Sequence, residues 1–265
     1  MQPYSACILL IFLDSALDLN AQPVEAPVDY VSPNIGGIGQ LLQPTIPYVQ
    51  YPHGMMRVAP ITTPGITDRY LADKIYGFPV GPAILMATSG KSSKHAKDNA
   101  SDFDHDFETA TPYYYETDLQ TWNIRAELTT SAHAAYSRFT CLRSGQAYVV
   151  LSMKDHGDLE VVGSKAIQGS EDIGTQIGRT SGPQGETREY FYVEFAKPFS
   201  DFSTWQGADG LSRLTKRMGD DIGFVGNLAA ADGEPIAIRA GISYISAEQA
   251  RRNLQREIPE GGTRR

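Results

Sequence analysis

The chain has 265 residues, 41% of them hydrophobic and 20% charged, with a net charge of -8 at pH 7. That balance is typical of a folded protein long enough for one large domain, and it argues against a disordered or membrane-spanning chain. With no Lys/Arg run longer than two residues, the acidity also argues against a nucleic-acid surface.

Residues 6–13 form an apolar core too short to cross a bilayer, and small and polar residues follow it up to Ala21. Residues 1–21 therefore read as a secretory signal peptide, which predicts export to the periplasm, the cell surface or the medium, with no transmembrane segment. Its removal takes Cys7 away and leaves Cys141 as a lone thiol, so neither a disulfide framework nor a cysteine metal site is expected. Residues 22–28 read as an exposed linker.

Residues 29–82 are dense in Gly and Pro. Neither a helix nor a central strand tolerates that density, because proline removes a backbone donor and glycine costs backbone entropy. Tyr48, Tyr51, His53, Arg57, Asp68, Arg69, Tyr70 and Tyr76 are set among these breakers. Long irregular loops carrying aromatic and ionisable groups are commonly functional. Residues 91–101 read as a polar surface loop that contains the formal glycosylation sequon Asn99-Ala100-Ser101.

From Ser101 the pattern turns to period two. Asp102, Asp104, Asp106 and Glu108 alternate with Phe103, His105 and Phe107, so a strand would put the acids on one face and the rings on the other. Tyr113, Tyr115, Thr117 and Leu119 alternate next, then Ile124, Ala126 and Leu128, and further runs follow in QAYVVLSMK, TREYFYVEFAKPF and EPIAIRAGISYIS. Turn residues separate them at short intervals. The pattern predicts an all-β chain, a two-layer antiparallel β-sandwich from about residue 29 to 246. One helix follows. Ser246 caps it, Gln249 completes a capping box, and Ala250, Leu254 and Ile258 share an apolar face suited to seating a following domain.

Three stretches resemble the N-terminal domain of glycoside hydrolase family 92, the calcium-dependent exo-acting α-mannosidases. VSPNIGGIG followed by PHGMMRVAP is similar to the family's opening. SDFDHDFETATPYYYETDLQTWNIRAELTTSAHAAYSRFT resembles its most specific signature, and IRAGISYISAEQARRNLQREIP resembles the segment that ends the sandwich. The resemblance spans nearly all of residues 29–259 and implies a galactose mutarotase-like supersandwich. It further implies that a helical barrel, beginning where residues 260–265 stand, supplies the general acid, the base and most calcium ligands. The expected function is therefore the carbohydrate-binding, substrate-shaping part of an inverting α-mannosidase-like enzyme, inactive alone and acting on mannose-containing glycans. The alternative is a free-standing carbohydrate-binding sandwich.

His53, Asp68, Arg69, Tyr70 and Tyr76 form the candidate sugar-facing set, since hydroxyls need bidentate polar partners and a ring can stack on a pyranose. The same residues read equally as an ion pair and packed tyrosines holding the loop. The family's Trp and His sugar contacts are replaced here by GITDRYLADK and IYGFPVGP, so linkage specificity does not carry over. Gly37 corresponds to the family's Ile-Gly-Thr-Gly threonine and offers calcium a backbone carbonyl at most. Calcium is expected in the full-length enzyme and not for this chain alone, because hard cations want six to eight oxygens. The acids at 102–108 lack the opposed placement that glycoside hydrolysis needs, and a solvated strand face or turn is expected there. His105 and His133 are expected to be structural. No Gly-x-Ser-x-Gly elbow supports a Ser–His–Asp hydrolase.

Overall fold

A computed structural model describes residues 26–37, 45–62, 72–173, 187–230 and 233–261. The proposed signal peptide, and Asp68, Arg69 and Tyr70, lie outside the described residues. No described helix is long and apolar enough to cross a membrane.

The alternating runs form strands that pair antiparallel throughout. One layer is a nine-stranded sheet. It is built from β7 (Thr109–Ala110), β8 (Tyr115–Leu119), β9 (Ile124–Thr130), β10 (Ala134–Cys141), β12 (Gly157–Val162), β13 (Ala166–Asp172), β14 (Arg188–Phe195), β16 (Lys216–Gly219) and β18 (Pro235–Ser243). Their order is β16-β12-β13-β14-β18-β10-β9-β8-β7. The other layer has the order β15-β17-β11-β5-β4-β3, with β6 on β4. Here β3 is Ile61–Thr62, β4 Lys74–Val80, β5 Ala83–Ser89, β6 Ser101–Asp102, β11 Gly145–Met153, β15 Asp201–Gln206 and β17 Ile222–Ala230. A small ribbon of β1 (Val49–Gln50) and β2 (Arg57–Val58) sits beside them. The all-β sandwich is as the sequence predicts.

The register explains the core. Leu85, Leu151 and Phe224 pair across the smaller sheet, while Ile238, Phe195, Ala240 and Val193 pair across the larger one, and all are buried. Successive strand residues point to opposite faces, so one row from each sheet meets the other and its neighbours face out. Phe195, Phe199, Phe202 and Phe224 form an aromatic cluster in the interior, with Phe199 and Phe224 centroids 5.3 Å apart. The outer face of the larger sheet carries ion pairs such as Glu127–Arg138 and Glu194–Arg239, the polar half of the alternation.

The helix α1 (Ala247–Glu257) corrects one expectation. Ser246 caps it by accepting from the Gln249 backbone N–H at 3.1 Å, whereas the Gln249 side chain donates to Asn253 at 2.9 Å, so the box is half formed. Its apolar face is not offered to a following domain. Ala250 and Leu254 are fully buried against Ala134, Ala166 and Tyr192 of the chain's own sheet, with Ile258 partly buried. The seat is Gly241, where an added Cβ would come within 2.3 Å of the Ala250 carbonyl oxygen. Only glycine permits so close a crossing.

Residues 102–108 form the turn that was one of the two arrangements expected there. The strand stops after Asp102, and His105–Phe107 forms a 3-10 turn that Asp104 caps by accepting from the Asp106 N–H at 3.0 Å. A short acidic side chain satisfying the backbone locally wins over strand pairing there. Asp102 pairs with Lys74, and Glu108 with His105 at 2.8 Å, so the acids share no face. Among the described residues no group of three or more His, Cys, Asp or Glu is placed to hold a metal ion. Asn99 is buried with its amide donating to the Ser93 carbonyl at 2.6 Å, which closes the sequon in the folded chain. His133 bonds Glu257 at 2.8 Å and ties the β9–β10 turn to the end of α1.

Candidate functional site: a cleft at one end of the sandwich

The core-facing row of the larger sheet ends in acids. Ile167 lies opposite Val193, Gly169 opposite Phe191, and Glu171 opposite Glu189 on β13 and β14. The first two pairs fill the interior. The third lines a cavity of about 1090 Å³ at the end of the sandwich. The β4–β5 turn (Gly81, Pro82), the end of β11 (Met153) and Met55–Arg57 close its other sides, and Tyr48 and Tyr244 add rings. Gly81 has φ +57, and a Cβ there would stand 2.8 Å from Ile242 and 3.5 Å from the Glu189 carboxyl carbon, so the turn lies directly on that acid.

The two carboxyls differ in their surroundings. Glu171 is 1% exposed, and its Oε1 accepts from the backbone N–H groups of Asp155 at 2.8 Å and Lys154 at 3.2 Å. Its Oε2 has no hydrogen-bond partner. Glu189 is 8% exposed and accepts no hydrogen bond among the described residues. Burial pushes Glu189 up to about 7, the Arg57 guanidinium opposing and the Glu171 charge adding to the rise. Burial also raises Glu171, against its two backbone hydrogen bonds. Because those bonds favour the charged form, Glu171 is the one that ionises first and Glu189 the one that keeps its proton. Below about pH 7 Glu189 thus offers a hydroxyl donor, and Glu171 is the neighbour that turns first into a carboxylate acceptor. Directly opposed residues have Cβ atoms about 5 Å apart. Both sit on one sheet face, so they do not flank a bond from opposite sides as glycoside hydrolysis requires.

The residues singled out from sequence are only partly brought together. Arg57 and Tyr48 line the cleft, with the guanidinium 4.8 Å from the ring centroid. His53 is exposed at φ +60 in the turn closed by the Gly54 N–H to Tyr51 carbonyl bond, two residues before Met55, and does not line the cavity. Tyr76 is half-buried on β4 and also off the cavity wall. Gly37 is buried at the end of a turn and donates to the Asn34 carbonyl at 3.0 Å, while Asn34 Oδ1 is buried without a partner. The Gly37 carbonyl and Asn34 Oδ1 are two oxygens at most, and calcium wants six to eight. Glu171 and Glu189 belong to no sequence motif, although each stands in phase with the inward apolar residues of its strand.

A family profile described as the glycosyl hydrolase family 92 N-terminal domain matches residues 30–243. The chain belongs to this family. Among solved structures it is similar to a GH92 inverting mannosidase from Bacteroides thetaiotaomicron, with 24% identity and a TM-score of 0.77 over 88% of this chain and 34% of that one. It is also similar to a GH92 α-mannosidase from the same organism, with 22% identity and a TM-score of 0.75 over 89% of this chain and 35% of that one. That second protein has also been solved in complex with mannoimidazole. Comparison with the curated proteins finds no match. The family 92 chain thus spans about a third of the length of the solved enzymes it matches.

Proposed function

We propose that this family 92 sandwich is the substrate-shaping part of an α-mannosidase-like glycoside hydrolase, and that it binds mannose-containing glycans without cleaving them alone. The observation that carries the reading is the family match over residues 30–243, with the chain spanning about a third of the length of the solved enzymes it matches. The cleft supports it, because a concave site with a few convergent polar groups between rings suits a sugar. Its two buried acids lie on one face and supply no opposed acid and base. In this reading His53, Asp68, Arg69, Tyr70 and Tyr76 serve as further sugar contacts, and Gly37 contributes to calcium only when a helical catalytic domain brings the other ligands. The chain is read as exported, consistent with the apolar core at residues 6–13.

The test is a paired assay on the purified chain in calcium. Aryl α-mannosides and α-linked mannobioses should show no turnover, while a glycan array should show retention of mannose-terminated glycans. Turnover by the chain alone would mean a catalytic pair within it. An array with no glycan retained would reduce the chain to a structural domain.

A further inference from the structure

We infer that Glu171 and Glu189 form a sugar-binding subsite that grips two adjacent hydroxyls of a single pyranose at the inner end of the cleft. The inference rests on the glycan-binding reading above and names the side chains that would do the binding. Three observations support it. The pair is set in direct cross-strand register, so its spacing is fixed by the sheet and not by loop geometry. Both side chains are more than nine-tenths buried, yet both line a cavity of about 1090 Å³. Glu171 Oε2 and the Glu189 carboxyl have no hydrogen-bond partner among the described residues.

Buried polar groups without partners are rare, and each calls for an explanation. A divalent cation is a poor one, because among the described residues no third ligating side chain joins the pair. The charges facing the acids are also mixed: Arg57 from β2, Lys154 and Asp155 after β11, and the Tyr48 and Tyr244 hydroxyls. A neutral polyol fits better. One hydroxyl donates to the ionised Glu171, and its neighbour accepts from the protonated Glu189 and donates onward. Pro82 and Met153 offer the apolar surface on which a ring carbon face rests, and Tyr244 the stacking edge.

The probe is methyl α-D-mannopyranoside, titrated into the purified chain and followed by NMR, with near-UV circular dichroism confirming that each variant is folded. Glu171→Gln, which removes the charged acceptor, should weaken binding about tenfold, the usual scale of one lost charge-assisted hydrogen bond. Glu189→Gln keeps a donor and an acceptor, so at pH 6 it should bind within about threefold of the parent, a difference under 1 kcal/mol. The parent should lose affinity between pH 6 and pH 8 as Glu189 ionises beside Glu171, and the Glu189→Gln variant should not. A parent that binds the glycoside while both variants match it at every pH would overturn the subsite and leave the glycan-binding reading standing. A parent that fails to bind the glycoside yet retains larger glycans on the array would also overturn the subsite. Failure on both would remove the reading itself.

Discussion

Replacing Glu189 by glutamine should stabilise the domain at pH 8 and leave it unchanged near pH 4. Burial, opposed by Arg57 and reinforced by Glu171, raises the carboxyl from its ordinary 4.5 to about 7. Below the ordinary value the group is protonated whether the chain is folded or not, and it contributes nothing differential. Between about 4.5 and about 7 the unfolded chain releases the proton while the folded chain holds it, so stability falls as pH rises. Above about 7 the loss is complete. At about 1.4 kcal/mol per pH unit it amounts to roughly 3 kcal/mol. Glutamine does not ionise and keeps the same shape. Urea unfolding of the parent and Glu189→Gln at pH 4, 6 and 8 should therefore give curves that meet at the acid end and diverge toward the alkaline one. Equal midpoints at pH 8 would mean that the carboxyl is solvated in a way the closed wall does not allow.

The second large effect lies in the interior. Phe224 is fully buried, with its ring within 5.3 Å of Phe199, 6.1 Å of Phe202 and 6.2 Å of Phe195. It sits on β17 in the smaller sheet and meets Phe195 from β14 in the larger one, so it joins the two layers. Phe224→Ala should cost about 3–5 kcal/mol, because the rings around it cannot collapse into the space at once. That is a large share of a typical total of about 5–15 kcal/mol. The midpoint of urea unfolding should drop in proportion, and a loss below about 1 kcal/mol would mean that the layers repack around the gap.

Much of this architecture was legible in the sequence because period two is a local signal. Tyr115, Thr117 and Leu119 alternate inward on β8, and Ile124, Ala126 and Leu128 do so on β9, as their spacing predicts. The acids at 102–108 alternate just as cleanly and still form a capped turn, since a pattern does not show which local hydrogen bonds compete with it. The helix boundaries were also legible, but not what its apolar face meets. That face is set by Gly241, whose role depends on a crossing between elements and not on its neighbours in sequence. The cleft was the least legible part. Glu171 and Glu189 are visible one at a time as acids in an inward row, but their pairing depends on the β13–β14 register. A polar residue placed where the core pattern calls for an apolar one was the signal that could have found them.

The central claim, that this family 92 domain meets glycans in the cleft at the end of its sandwich, is tested most directly through its methionines. Met55, Met56 and Met153 line the cavity, whereas Met86 lies within the sheet away from it and Met218 stands exposed on β16. Methyl-labelled methionine gives one NMR signal for each. On titration with methyl α-D-mannopyranoside the signals of Met55, Met56 and Met153 should move together along one saturating curve, while those of Met86 and Met218 stay in place. Movement of Met218 with the three cavity signals unchanged would put the glycan on another face and contradict the account.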